Sequence, residues 1–200
     1  MNRLRARSAA RTGLTIALLA GAVAVQAQHP ADRWEFALEA GHLRKVRHNS
    51  PLDYRIAPAQ VAWRSPAVFE WWRNEQGARL TVRNRFAVVA ETFLRGPEDH
   101  YLAFTAAPSI ELWSADQKTA LFYEIGGGAG FLNASKVTGG QGQDFTFTWF
   151  TQLGLRRQIS ARTALTGGLY FTHHSNLGMT RPNPGIDVLG LNFGLVWQLD

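Results

Sequence analysis

The clearest pattern in the chain is an alternation of large apolar residues with small or polar ones. In the C-terminal segment, the large apolar positions are Leu189, Leu191, Phe193, Leu195, Trp197 and Leu199. The residues between them are Gly190, Asn192, Gly194, Val196 and Gln198. Because successive side chains of a β-strand point to opposite faces, this period of two predicts a strand with one large apolar face and one small or polar face.

The same alternation recurs upstream and predicts eight strands, an even number as closed bacterial membrane barrels require. Their approximate ranges are 33–46, 54–74, 79–94, 100–113, 118–132, 144–157, 162–175 and 187–199. The 54–74 segment departs from the pattern, since Pro58 and Pro66 have no N–H to donate to a neighbouring strand. We expect that segment to be bulged or to lie partly outside the membrane.

The arrangement of the apolar faces favours a membrane barrel over a soluble β-sandwich or lipocalin-like barrel. A soluble barrel buries its large apolar side chains, which would leave glycine and polar residues facing water. The connections at 74–77, 114–117 and 158–161 are brief, whereas 133–143 is longer, and this asymmetry is typical of outer-membrane barrels. The sequence therefore predicts an all-β fold, an eight-stranded antiparallel transmembrane β-barrel, in the bacterial outer membrane.

The N-terminus has the layout of a secretory signal peptide. Four arginines, at positions 3, 5, 7 and 11, precede an apolar run at 13–25, and Val25-Gln26-Ala27 resembles a small-residue cleavage site. We expect residues 1–27 to be cleaved and 28–200 to form the barrel domain. The leader holds four of the 21 Lys and Arg residues and none of the 15 Asp and Glu, so the basic balance is no argument for nucleic acid binding. Without cysteine, the chain has no disulfide, thiolate nucleophile or Cys-based metal site.

The candidate chemistry lies in residues 171–178 and 182–187. His173 and Ser175 are two residues apart, so they share a strand face with Leu169 and Phe171. Asp187 shares a face with Leu189 on the next strand, and all three side chains are predicted on the lipid-facing wall near the extracellular rim. In an acyl-transfer site, Ser175 would be the nucleophile, His173 the general base and Asp187 the carboxylate that orients the imidazole.

The oxyanion of such a reaction needs hydrogen-bond donors. Candidates are backbone N–H groups near Leu177 and Gly178, with a side-chain amide from Asn176 or Asn183. Asn176 is equally suited to forming the local turn, and Asn183 begins an Asn-Pro-Gly turn sequence. We expect no metal and no cofactor in this chemistry.

The string HHSNLGMTRPNPGID resembles the His-x-Ser-Asn motif and the following Pro-Asn-x-Gly-Ile-acid segment of the lipid A 3-O-deacylases, the PagL type. That resemblance implies an eight-stranded outer-membrane barrel with a Ser-His-acid triad on its exterior. It implies that His173 is the base, Ser175 the nucleophile, Asp187 the acid and Asn183 an assisting residue. The best-known members have Glu where this chain has Asp187. The substrate would be the ester-linked acyl chain at position 3 of lipid A.

Two other functions use the same features: an esterase acting on another envelope lipid, and a non-catalytic structural or adhesion barrel. The expected partners are lipid A or lipopolysaccharide and the membrane itself, with no nucleic acid, and the sequence also allows a homodimer. His174 has the opposite parity and is predicted to point inward, where charges such as Glu39, Arg85 and Glu124 are expected to pair. Basic residues near the outer rim are candidates for lipid A phosphates: Arg44, Lys45, Arg47, Arg95, Lys136 and Arg181. The seven tryptophans are interpreted as an interfacial belt.

Overall fold

The computed structural model describes residues 28–46, 52–135 and 137–199. The predicted leader at 1–27 lies outside the described residues, as do Arg47 and Lys136. A short 3-10 helix, Pro30–Asp32, precedes the first strand. Within the described residues, no helix has the length and apolar character needed to cross a membrane.

Antiparallel strands make up about two thirds of the described residues. They are β1 (Glu35–Lys45), β2 (Arg55–Arg64), β3 (Phe69–Arg73), β4 (Arg79–Arg95), β5 (His100–Trp113), β6 (Thr119–Leu132), β7 (Phe145–Gln158), β8 (Thr163–Ser175) and β9 (Ile186–Gln198). β1 pairs with both β2 and β9, and β2 also pairs with β4. These pairings close β1, β2 and β4 to β9 into an eight-stranded barrel, as predicted.

The predicted strand at 54–74 is wrong as a single element, because the chain leaves the sheet between β2 and β3. Pro66 lies in this break and cannot donate to a ladder. The long strand β4 bridges the break: its residues 85–95 pair with β2 and its residues 79–82 pair with β3. Both pairings contain a register shift, so the expected bulging of this segment is confirmed. Pro58 is tolerated within β2, opposite Glu91.

The outer wall of the barrel is apolar, as the alternation predicts. Leu189, Leu191 and Phe193 of β9 are exposed on it. Neighbouring strands continue the surface with exposed residues that include Leu165, Leu169, Leu153, Leu155, Leu121 and Ile125. A surface of this kind is stable only against lipid. The protein is therefore an outer-membrane β-barrel.

The two ends of the barrel differ. The end with both described termini carries the short turns between β5 and β6 and between β7 and β8, and the opposite end carries the longer 133–144 and 176–185 connections. Short turns face the periplasm and longer loops the exterior in such barrels. Six tryptophans lie toward the periplasmic end, and Trp149 lies toward the other. Trp113 corrects the belt interpretation, since it is buried in the interior.

Ion pairs fill the periplasmic half of the interior. Glu39 lies 2.9 Å from both Arg64 and Arg85, and Glu124 lies 3.1 Å from Arg64 and 3.2 Å from Arg85. Below them, Glu35 pairs with Arg83 and Arg156. The prediction of a paired polar filling is confirmed, and each of these charged residues has an opposite charge close by.

The extracellular half of the interior is mainly apolar and aromatic, which the alternation did not reveal. Its buried residues include Leu43, Tyr54, Ile56, Phe93, Tyr101, Phe150, Tyr170, Ile186 and Val188. Ile186 and Val188 flank Asp187 on β9 and point inward. The packed core thus fixes the backbone on both sides of Asp187, whose side chain points outward.

Candidate active site

Strands β8 and β9 bring the three predicted triad residues together. In the register of this pair, His173 lies directly opposite Asp187. His173 Nδ1 and Asp187 Oδ1 are 2.8 Å apart, a hydrogen-bond distance. Ser175 follows two residues later, at the last position of β8, and parity places it on the same face as His173. Its side chain is buried. Within the described chain, no hydrogen bond joins Ser175 to the His173 ring. Such a bond often tightens only when substrate is present.

His173 and Ser175 line a cavity of about 300 Å³. Its other walls are Phe147, Thr148 and Trp149 of β7 and Leu177 of the loop after β8. Trp149 lies opposite His173 in the β7–β8 register, and its ring is 6.2 Å from the imidazole between centroids. The sequence analysis missed these β7 residues. The signal was the parity of Phe147 and Trp149, which lie opposite Ser175 and His173 in the β7–β8 register.

The turn that follows Ser175 is built by Asn176. The Asn176 side chain is fully buried, and its Nδ2 donates to the carbonyl oxygens of Gln141 (2.6 Å) and Thr180 (2.8 Å). Its Oδ1 accepts from the Gly178 N–H (2.9 Å). These bonds occupy the amide of Asn176, so the side chain holds the turn that follows Ser175.

The other predicted supporting residues surround the same turn. Asn183 Oδ1 accepts from the Asn176 N–H at 3.0 Å, which joins the two ends of the β8–β9 loop. Leu177 has a φ of 54° and Gly178 a φ of 79°, a left-handed pair that reverses the chain. A positive φ at a leucine is uncommon and persists only where surrounding contacts hold it. The Gly178 N–H is engaged by Asn176, and no hydrogen bond among the described residues engages the N–H of Leu177.

His174 lies on the opposite side of the strand from its neighbour His173. Its side chain is fully buried inside the barrel, 3.1 Å from Glu91 and packed edge-on against Tyr101. The predicted inward placement is confirmed. Two adjacent histidines therefore have separate environments, one in the packed interior and one on the lipid-facing wall.

The family comparison assigns this outer-membrane barrel to a class of membrane-embedded hydrolases. The chain belongs to the lipid A 3-O-deacylase (PagL) family, whose model matches residues 58–196. A solved structure described as the outer membrane enzyme PagL is similar in fold, with a TM-score of 0.57. It is 20% identical, and the match covers 80% of this chain and 97% of that one. No curated protein sequence matches the chain significantly.

Proposed function

We propose that this protein is a lipid A 3-O-deacylase that uses Ser175, His173 and Asp187 as a catalytic triad. The observation that carries the proposal is the 2.8 Å contact between His173 and Asp187, with Ser175 beside His173 in the lining of one cavity. A carboxylate and an imidazole are energetically costly on a hydrocarbon-facing surface. Their presence there therefore indicates a functional site. The family relationship favours hydrolysis of a lipid ester as that function.

The reaction follows from the roles of these three groups. Ser175 Oγ attacks the carbonyl carbon of the acyl ester at position 3, and its proton moves to His173 Nε2. When the tetrahedral intermediate collapses, the bond to the sugar oxygen breaks and His173 returns the proton to that oxygen. Water then attacks the acyl-serine, again with His173 as the base, and releases the fatty acid. Asp187 accepts a hydrogen bond from His173 Nδ1 throughout, which leaves Nε2 free for the proton transfers.

The set of candidate oxyanion donors is smaller than the set that the sequence suggests. Since the amide of Asn176 and the N–H of Gly178 are engaged within the loop, the N–H of Leu177 and the Nδ2 of Asn183 are the better-suited donors. Both belong to the turn directly after Ser175 or to the segment bonded to it. Donors fixed in advance stabilise the developing negative charge most effectively.

Lipid access is supported by the wall beside the triad. A groove of about 590 Å³ runs along β9 and β1 and is lined by residues that include Leu189, Leu191, Phe193 and Arg44. Acyl chains lying there would approach Asp187 from below, within the outer leaflet. Arg44 opposes Leu189 in the strand register and is the rim cation best placed for a lipid A phosphate. Arg95, by contrast, lies 2.9 Å from Asp53.

The role of Arg44 is tested by Arg44→Gln, with Arg95→Gln as the control at the same rim. We expect Arg44→Gln to raise the KM for lipopolysaccharide about threefold to tenfold, as for a lost charge-assisted contact at a partly exposed site. Equal KM values for the two variants would remove Arg44 from the proposal.

The proposed function is tested by mass spectrometry of lipid A from membranes that contain the intact protein, Ser175→Ala or His173→Ala, each folded to the same level. The proposal predicts that one 3-hydroxyacyl chain is lost only with the intact protein. If lipid A is unchanged but phospholipids lose an acyl chain, the protein is an esterase for another envelope lipid. If no lipid changes, a non-catalytic barrel replaces the proposal.

A further inference from the structure

A buried carboxylate that the triad chemistry does not use lies in the connection between β4 and β5. Glu98 is only 1% exposed, although glutamate is rarely buried this far without partners. Its Oε2 accepts from the Tyr54 hydroxyl and its Oε1 from the N–H of Gln141, each at 3.0 Å. Burial raises the pKa of Glu98, which is the expected effect of removing a carboxylate from water.

The backbone of Gln141 links this carboxylate to the β8–β9 loop, which follows Ser175. Its N–H donates to Glu98, and its carbonyl oxygen accepts from Asn176 Nδ2 at 2.6 Å. Asn176 directly follows Ser175 in the chain, and its own N–H is bonded to Asn183. A continuous set of hydrogen bonds therefore runs from Tyr54 through Glu98 and Gln141 to the residue after the nucleophile.

The β6–β7 loop approaches both the β8–β9 loop and Glu98 too closely for side chains to lie between them. A Cβ added at Gly142 would lie 2.6 Å from the carbonyl oxygen of Pro182, in the β8–β9 loop. A Cβ at Gly140 would lie 2.9 Å from Glu98 Oε1. The hydroxyl of Thr180 also donates to Gln143 Oε1. The β6–β7 loop is thus wedged between Glu98 and the loop that carries the proposed oxyanion donors.

We infer that Glu98 is a positioning residue for the hydrolase site, which acts through the Gln141 peptide to hold Asn176 and the turn after Ser175. This inference rests on the proposed function. Ser175 ends its strand, and the next residue but one has a strained φ, so the nucleophile position needs support from outside β8. The set of bonds from Tyr54 to Asn176 supplies that support. It fixes the distance between Ser175 and the donors of its oxyanion.

The side chain of Glu98 is tested by Glu98→Ala and Glu98→Gln, assayed on lipid A in detergent micelles. Glu98→Ala is expected to lower kcat about 10-fold to 100-fold, the range for a small displacement of catalytic groups, with little change in KM. Glu98→Gln keeps one oxygen acceptor and is expected to recover part of the loss. If Glu98→Ala retains the kcat of the intact protein per folded barrel, Glu98 only stabilises the loops and the inference is wrong.

A second pair of variants perturbs the same contact without touching the carboxylate. Gly142→Ala pushes on Pro182, whereas Gly139→Ala has a comparable positive φ, 84° against 75°, but meets nothing within 4 Å. The two variants therefore share the backbone strain and differ in the contact between loops. We expect kcat to fall in Gly142→Ala and to change far less in Gly139→Ala. Equal losses in both would overturn the inference.

Hydrogen exchange separates this inference from the proposed function. Glu98→Ala is expected to speed the exchange of the Asn176 and Gly178 amides, while amides in β5 and β6 remain protected. Unchanged exchange at Asn176 and Gly178 would contradict the positioning role. If the intact protein hydrolyses no lipid, the proposed function fails on that result. The exchange measurement still decides whether Glu98 holds the turn.

Discussion

The periplasmic and extracellular halves of the barrel differ in how their ionisable groups are arranged. In the periplasmic half, glutamates and arginines point inward and neutralise one another, as Glu39 does with Arg64 and Arg85. In the extracellular half, the interior is mainly aromatic and aliphatic, with Glu91 and His174 in contact inside it. The ionisable groups His173 and Asp187 face outward. One half uses ionisable groups to fill a narrow lumen. The other uses an apolar core to support ionisable groups on the lipid-facing surface.

This difference indicates why the proposed site can be held on a wall only one strand thick. The inward neighbours of the triad residues, such as Thr172, Ile186 and Val188, are buried among packed residues. Side chains in a packed interior resist displacement, so the backbone that also carries the outward side chains is held in place. The inward charges of the periplasmic half are therefore expected to matter for stability, and the outward ones of the extracellular half for activity.

The largest expected effect separates His173 from His174. Removing a general base from a triad leaves only the residual catalysis of binding and oxyanion stabilisation, so His173→Ala is expected to lower kcat by about 10³-fold or more. His174→Ala is expected to leave kcat per folded barrel nearly unchanged and to lower the unfolding free energy by about 1–3 kcal/mol, since Glu91 loses its neighbour. Initial rates and urea unfolding of both variants check this contrast. Equal losses of activity would contradict it.

The carboxylate of the triad is tested by two changes at Asp187. Asp187→Asn removes the charge that orients His173 and is expected to lower kcat by about 10²-fold to 10⁴-fold. Asp187→Glu introduces the acid that the family resemblance implies at this position. We expect it to keep most of the activity, because catalytic triads use either acid. If Asp187→Asn is as active as the intact protein, the 2.8 Å contact with His173 is structural.

The interior network is tested by Glu39→Leu. This change leaves Arg64 and Arg85 without one of their two carboxylates, and breaking a buried pair costs about 3–5 kcal/mol. The midpoint of thermal unfolding is expected to fall clearly, while kcat per folded barrel stays the same. Asp53→Leu, at the exposed ion pair with Arg95, is the control and is expected to have little effect. A selective loss of activity in Glu39→Leu would contradict the division of roles.

The smallest expected effect is a pH dependence at the periplasmic rim. Burial lowers the pKa of His29 from 6.5 to about 4, with a further contribution from Arg79. The folded protein therefore favours neutral His29, and this stabilisation is complete above pH 6.5 and lost as the pH falls toward 4. Because His29 Nδ1 accepts the N–H of Ala31, protonation breaks that bond. Protection of the Ala31 amide is expected to decline over this range. Constant protection down to pH 4 would contradict it.

The alternation of residues was sufficient to predict the barrel because strand parity is a local property. It assigned Leu189, His173 and Asp187 to the outer wall and Glu39, Arg85 and His174 to the interior, and the structure agrees. The observed strand ends lie within about two residues of the predicted ones, except at 54–74. There, Pro66 interrupts the ladder and β3 takes over the pairing with β4.

Features that depend on contacts distant in the sequence were not predictable in this way. Glu35 and Arg156 are 121 positions apart, and their pairing depends on how the strands are staggered around the barrel. The hydrogen bond from Asn176 to Gln141 could not be predicted from residue types, because its acceptor is a backbone carbonyl, which every residue has. The motif thus predicted which residues gather near Ser175. The loop contacts that hold them required the structure.

The most direct test of the central claim is covalent labelling of the folded barrel with a fluorophosphonate probe, which reacts with activated serines, followed by peptide mapping. The account predicts one adduct, on Ser175, which forms at a rate that falls sharply in His173→Ala and Asp187→Asn. Labelling at another serine, or hydrolysis of lipid A by a barrel whose Ser175 remains unlabelled and replaceable by alanine, would contradict it.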